Sequence, residues 1–173
     1  MDIWMISRRE LKNDLLDIFT ALNDIQFKYD WIISDHDIWY SEDCPADVKS
    51  RWQWTGLLLP GEELAAHCAA GYVHFCFGAI LSAVPKGTKP EQVWDYVPGW
   101  EEDFEDPDYQ FQTPLTKLEI VCYDGYAWLV VCKPELSTLI REHLPHAMPP
   151  KEWYLAYTQT RYDEQGNKMT IIG

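Results

Sequence analysis

Leu118-Glu-Ile-Val-Cys-Tyr-Asp-Gly-Tyr-Ala-Trp-Leu-Val-Val-Cys-Lys133 sets two runs of aliphatic, β-branched and aromatic residues on either side of Asp124-Gly125. An Asp-Gly pair between two such runs is the strongest short-range signal for a β-hairpin, because both residues tolerate the positive φ of a tight turn. With a two-residue turn, Tyr123 stands opposite Tyr126 and Lys117 opposite Cys132. Leu118, Ile120, Cys122, Ala127, Leu129 and Val131 then share one wholly apolar face, the expected core face. In that register Cys122 faces Ala127 and lies on the other side of the sheet from Cys132, so these two thiols cannot pair. Five cysteines is also an odd number with no C-x-x-C spacing, and free thiols in a reducing cytoplasm are expected.

Working outward, Ile25, Phe27, Tyr29, Trp31 and Ile33 alternate with their neighbours at strand period, and Ile38-Trp39-Tyr40 reads as a short strand returning from a turn at Asp35-His36-Asp37. Tyr72 to Val84 reads as one buried strand ending at Pro85. Residues 153–162 and 168–172 read as a last hairpin around the polar stretch 163–167. Helices are expected from Arg8 to Asn23, where Ser7 and Glu10 form a capping box, from Glu62 to Ala70 before Gly71, and from Pro134 to His143. Residues 45–54 can hold a further short helix. The expected architecture is a single α+β domain over residues 1–173: an antiparallel sheet with about three helices packed on it and one long acidic loop.

The charge is unevenly placed. Fourteen basic against 28 acidic residues give a formal charge of −14. From Asp30 to Asp47 there are six acids and no lysine or arginine; from Pro90 to Thr116 there are eight acids and again no base. These two segments account for the whole net charge and leave the rest of the chain neutral. Both are also rich in aromatics: Trp31, Trp39 and Tyr40 in the first, Trp94, Tyr96, Trp100, Phe104, Tyr109 and Phe111 in the second. A purely solvating acidic run has few aromatics, since they need something to pack against. Such segments are either surface loops pinned by their rings or surfaces that meet a partner. The candidate partner-binding residues are Trp94, Trp100, Glu101, Glu102, Asp103, Phe104 and Asp106.

The same composition excludes several classes. A chain of this charge with no basic stripe repels phosphates, so nucleic acid is not an expected partner. The longest apolar run, Tyr72 to Val84, is too short for the ~20 residues of a membrane-spanning helix, and no basic region leads an apolar core near Met1, so neither a membrane span nor a secretory signal is expected. Asp35, His36 and Asp37 gather three metal-binding side chains, but neighbours in a turn diverge and nothing nearby completes the set. His74 and Cys76 share a strand face inside an apolar run, where a packed thiol is the commoner outcome. Cys44, in a polar loop, has Glu42 and Asp43 beside it, and like charge disfavours its thiolate. Without a glycine-rich phosphate loop, G-x-S-x-G or H-E-x-x-H, no catalytic residue, metal or cofactor is assigned.

The stretch from Leu118 to Lys133, with Tyr157-Thr158 and Arg161-Tyr162 after it, resembles a family of small uncharacterised bacterial proteins in which a strand, an Asp-led turn, an aromatic strand and a lysine precede a short helix and a last hairpin. The likeness covers the last third of the chain and implies a bacterial origin. In composition the chain also resembles acidic immunity proteins of bacterial toxin systems. The functional expectation is a non-enzymatic binding module that meets a basic protein partner, for instance as a toxin-neutralising immunity protein. Two other classes stand beside it: an enzyme or metal-binding protein using the 35–37 turn or His74 and Cys76, and a housekeeping oligomer whose aromatic surface contacts its own copy.

Overall fold

The amino-terminal residues, to which periodicity assigns no element, form the edge strand of the main sheet. In the computed structural model, which describes residues 1–99, 106, 108–162 and 168–172, the chain opens on β1 (Asp2–Ser7). Ser7 closes this strand and makes no capping bond, so the expected capping box does not form and Arg8–Glu10 make a single 3-10 turn. The reason lies in β1's pairing, which runs on to Ser7 and is extended when the Arg8 N–H bonds to the Tyr126 carbonyl at 2.9 Å. Only α1 (Leu15–Ala21) remains of the long helix expected over 8–23. Asp17 holds its start by accepting from the Lys12 and Asn13 backbone N–H groups at 2.6 and 2.8 Å.

A 3-10 turn at Ile25–Lys28 then leads into β2 (Tyr29–Ser34), so the strand begins four residues later than alternation implies. β3 (Ile38–Tyr40) is followed by α2 (Ala46–Arg51), β4 (Leu57–Pro60) and α3 (Gly61–Ala69). The run expected as one strand over 72–84 is two: β5 (Val73–Phe75) and β6 (Gly78–Pro85), parted at Cys76-Phe77. β3 pairs with β5 in a small separate ladder rather than returning along β2. After the long segment come β7 (Leu118–Tyr123), β8 (Ala127–Cys132), α4 (Pro134–His143) and α5 (Pro150–Tyr157), then β9 (Thr158–Tyr162) and β10 (Lys168–Ile172), which pair with each other. Residues 153–157, expected in a strand, belong to α5: Pro150 supplies a ready-made first helical φ, and Trp153 and Tyr157 then fall on one helical face.

Among the described residues, six strands form one antiparallel sheet in the order β1-β8-β7-β6-β2-β4. With four helices of seven or more residues this is the α+β class expected, with one helix beyond the expected three. The hairpin differs from expectation by one residue. Tyr123 pairs with Ala127, the turn holds three residues, and Asp124 and Gly125 take φ of 47° and 73°. Because side chains alternate across a strand, that single step turns every residue of β8 over. Trp128, Val130 and Cys132 join Leu118, Ile120 and Cys122 on one face, while Ala127, Leu129 and Val131 share the other with Glu119 and Val121. Cys122 and Cys132 therefore lie on the same face, four residues apart along the strands, or about 13 Å at the usual rise. All five thiols are free.

Both sheet faces are covered. On one, α1, α3 and α4 bring Ile18, Phe19, Leu64 and Ile140 onto Trp31, Leu81, Ile120 and Trp128. On the other, α5 and the segment after β6 bring Trp153, Tyr157 and Tyr109 onto Ile80, Val121 and Leu129, while Val93 seats on Ile32 and Val84. Trp31, Trp52, Trp128 and Trp153 are fully buried, and truncating any one to alanine is expected to cost about 3–5 kcal/mol. Among the described residues no helix is long and apolar enough to cross a membrane.

Candidate binding surface

The end of the sheet where β2 stops and β6 begins is built by four short connections. Ser34 gives way to Asp35 at φ 42°, and the turn is fastened by backbone bonds from the Asp37 N–H to the Gly78 carbonyl and from the Cys76 N–H to the Asp37 carbonyl, both 2.8 Å. The Asp35 N–H donates to Thr55 Oγ1 at 3.3 Å. His36 Nε2 lies 2.5 Å from the Trp52 carbonyl; since a carbonyl only accepts, Nε2 carries the proton. The hairpin turn closes the site from the other side, Gly125 lying so near the chain that a Cβ there would stand 2.3 Å from the Cys76 carbonyl oxygen.

These connections enclose an open cleft of about 560 Å³. Asp35, Asp37 and Asp124 line it with His36, Thr55 and Phe77, and no lysine or arginine is among its described lining residues. Phe77 is 71% exposed and Trp54, just before Thr55, is 73% exposed. Rings this exposed turn most of their surface to solvent, which is how interface anchors look before a partner arrives.

The second base-free segment meets the first here. A Cβ at Gly99 would stand 3.3 Å from Asp35 Oδ2, and one at Gly56 would meet Val97 Cγ2 at 3.0 Å. Residues 97–99 thus run along the rim of the cleft formed by the first segment. Of the residues singled out from sequence, Trp94 is 68% exposed and Asp106 is exposed. Trp100, Glu101, Glu102, Asp103 and Phe104 lie outside the described residues. Sequence reasoning missed Asp124, which looked only like a turn former, and Phe77, which sat inside an apolar run read as buried.

The segment is fastened to the sheet by a buried acid. Glu119 of β7 is fully buried, accepting from Ser82 Oγ of β6 at 3.1 Å, from the Tyr109 hydroxyl and from the backbone N–H of Gln112. Burial pushes its carboxyl up to about 7, outweighing the three hydrogen bonds, which favour the ionised form. The Gln112 side chain in turn clamps Gly99, accepting from its N–H at 2.8 Å and donating to its carbonyl at 3.0 Å. Hydrogen bonds therefore link Glu119 to Gln112 and Gln112 to Gly99, which lies beside Asp35.

The other candidates do not converge. His74 is exposed and its ring lies tilted against Trp39 with centroids 5.4 Å apart, while the Cys76 thiol donates to the His74 carbonyl. Cys44, expected in a polar loop, is buried in the core instead, because α2 folds that loop against the sheet. Burial pushes the Cys68 and Cys122 thiols up to about 12 and Cys132 to about 11, which leaves them unreactive at neutral pH. Among the described residues no group of three or more His, Cys, Asp or Glu stands ready to hold a metal ion. Comparison with protein-family models, with curated proteins and with solved structures finds no match.

Proposed function

We propose that this chain is a non-enzymatic binding module of bacterial origin whose acidic, aromatic cleft end receives a basic protein partner. The observation that carries the reading is the meeting of two base-free segments, remote in sequence, around one cleft with Phe77 exposed at it. Concentrated charge of one sign raises association rates 10–10³-fold and disfavours wrong partners, while exposed rings supply affinity once they are covered. A toxin is the kind of partner that suits such a module, with the chain neutralising it by occupying its basic surface. The setting for this role is the cytoplasm, in keeping with five free thiols.

The test is a change of charge. The fastening bonds run through the backbone of Asp35 and Asp37, and Asn tolerates the φ of 42° that Asp35 takes, so Asp35→Asn with Asp37→Lys shifts the charge of the cleft and leaves those bonds in place. With a partner captured from the native host, the double variant is expected to slow association at least tenfold at low ionic strength, with the gap narrowing as salt is added and with no loss of thermal stability. Association rates equal to those of the unaltered chain at low salt would sink the proposal. A toxin identity adds one further expectation: co-expression of the chain protects cells that make the partner.

A further inference from the structure

The buried acid under the second segment has no part in lining the cleft, yet it holds the segment that does. From the geometry we infer that Glu119 is a pH-sensitive pin: uncharged, it keeps residues 109–116 seated on the sheet, and when it ionises that stretch lifts and loosens its grip on the cleft rim. As the regulation of the proposed binding surface, this inference rests on that reading.

Three observations carry it. First, Glu119 sits at the centre of the six-stranded sheet, between β6 and β8, with Ser82 and Val131 as its strand partners. Water cannot reach it by parting the strands without unfolding the protein. Its cover is the loop that supplies Tyr109 and Gln112, so lifting that loop is the easier route to hydration. Second, among the described residues no cation faces it. β6 presents Ser82 and β8 presents Val131; the loop presents Tyr109, its one titratable neighbour there, and Asp106 and Asp108, which are exposed. Lys117, two residues along the same strand face, is exposed as well, and α5 turns Trp153 and Tyr157 onto this side of the sheet. A carboxylate formed here would be desolvated with hydrogen bonds alone to hold it, which is why burial pushes its proton affinity up. Third, the cover contains polar atoms that gain from water. The Thr113 and Thr116 hydroxyls are buried without a hydrogen-bond partner among the described residues, so the seated loop is not the arrangement they would choose alone.

The linkage has a size. With a carboxyl near 7 when covered and near 4.5 when hydrated, opening becomes roughly tenfold more favourable between pH 6 and pH 8.5. Through the Gln112 side chain the loosening reaches Gly99 and the rim at Asp35.

Hydrogen exchange resolved by residue, corrected for the intrinsic effect of pH, reads the pin without any partner. In the unaltered chain, protection of the 109–116 amides is expected to fall roughly tenfold from pH 6 to pH 8.5, with Val97 and Gly99 following. In Glu119→Gln, which keeps the shape and cannot ionise, protection is expected to stay flat. In Gln112→Ala the fall at 109–116 persists but no longer reaches residue 99. Equal falls in the unaltered chain and in Glu119→Gln, or no fall in either, would overturn the pin. Binding of a decalysine peptide over the same pH range separates the two ideas. Weaker binding at pH 8.5 in the unaltered chain alone supports the pin. An identical pH profile in Glu119→Gln refutes its control of the surface and leaves the surface reading intact. If decalysine binds neither protein at low salt, the surface reading and its regulation both fail, and exchange alone then decides whether the loop opens.

Discussion

A single carboxyl, Glu119, carries a pH dependence that the other 27 acids do not explain. Its folded value is raised above the ordinary 4.5 to about 7. The stability it permits is thus fully present below pH 4.5 and is lost as pH rises through 7, because the unfolded chain releases the proton first. The difference amounts to ~3 kcal/mol across that window. Urea unfolding should therefore find Glu119→Gln gaining on the unaltered protein steadily from pH 4.5 to 7 and holding a constant lead above that. In sequence the two-residue turn puts this residue on the face opposite the expected core face. The signal that would have corrected it is β8, where Ala-Trp-Leu-Val-Val-Cys is apolar at every position; a strand with no polar face is covered on both sides. A second residue was equally hidden. Arg8 read as the first turn of a helix, but it pairs with Asp14 at 2.5 Å, donates to the Phe75 and Gly125 carbonyls at 2.8 and 3.3 Å, and lies over the Trp128 ring at 5.6 Å. Arg8→Ala removes the donor those carbonyls rely on and should cost about 2–4 kcal/mol in denaturant unfolding.

Among elements, the β7–β8 hairpin decides the fold and was legible in kind but not in register. Asp-Gly announces a turn; it does not say whether Tyr126 belongs to the turn or to the strand. What chooses is packing: the three-residue turn puts Trp128 on the face of Phe75 at 5.5 Å and lets its indole N–H donate to Asp14 at 2.6 Å. A two-residue turn would give that face the small Ala127 instead. Gly125 makes the geometry possible, since its φ of 73° and its approach to Cys76 both exclude a Cβ. Gly125→Ala should lower stability by about 2–4 kcal/mol, visible as a drop in thermal midpoint. It should also disturb the cleft, because the turn that must shift carries Asp124. Helices α3 and α4 were readable from Gly71 and Pro134, whose stop and start signals are local. β1 and β4 were not, since apolar runs of four to six residues are too short for their periodicity to tell strand from helix.

For the whole molecule, the sequence made the charge legible as two segments but could not say that they meet. That takes the close packing of residues 97 and 99 on 56 and 35, which no local pattern encodes. The exposed rings also allow self-association, and mass in solution decides it: a monomer at low and moderate salt is expected if the aromatic surface awaits a basic partner, whereas a self-interface of two like-charged surfaces would strengthen as salt screens the repulsion. One feature of the sheet reaches beyond the finished structure. β1 is hydrogen-bonded along its length to β8, Asp2 against Cys132 and Ser7 against Ala127, so during synthesis β1 waits for a partner strand made more than a hundred residues later. Loop closure over that span is slow and entropically costly. Until β8 arrives, Trp4, Ile6 and their neighbours stand uncovered beside an unfinished sheet edge. The nascent chain therefore exposes an unpaired apolar strand during synthesis, the condition under which unfinished sheets aggregate.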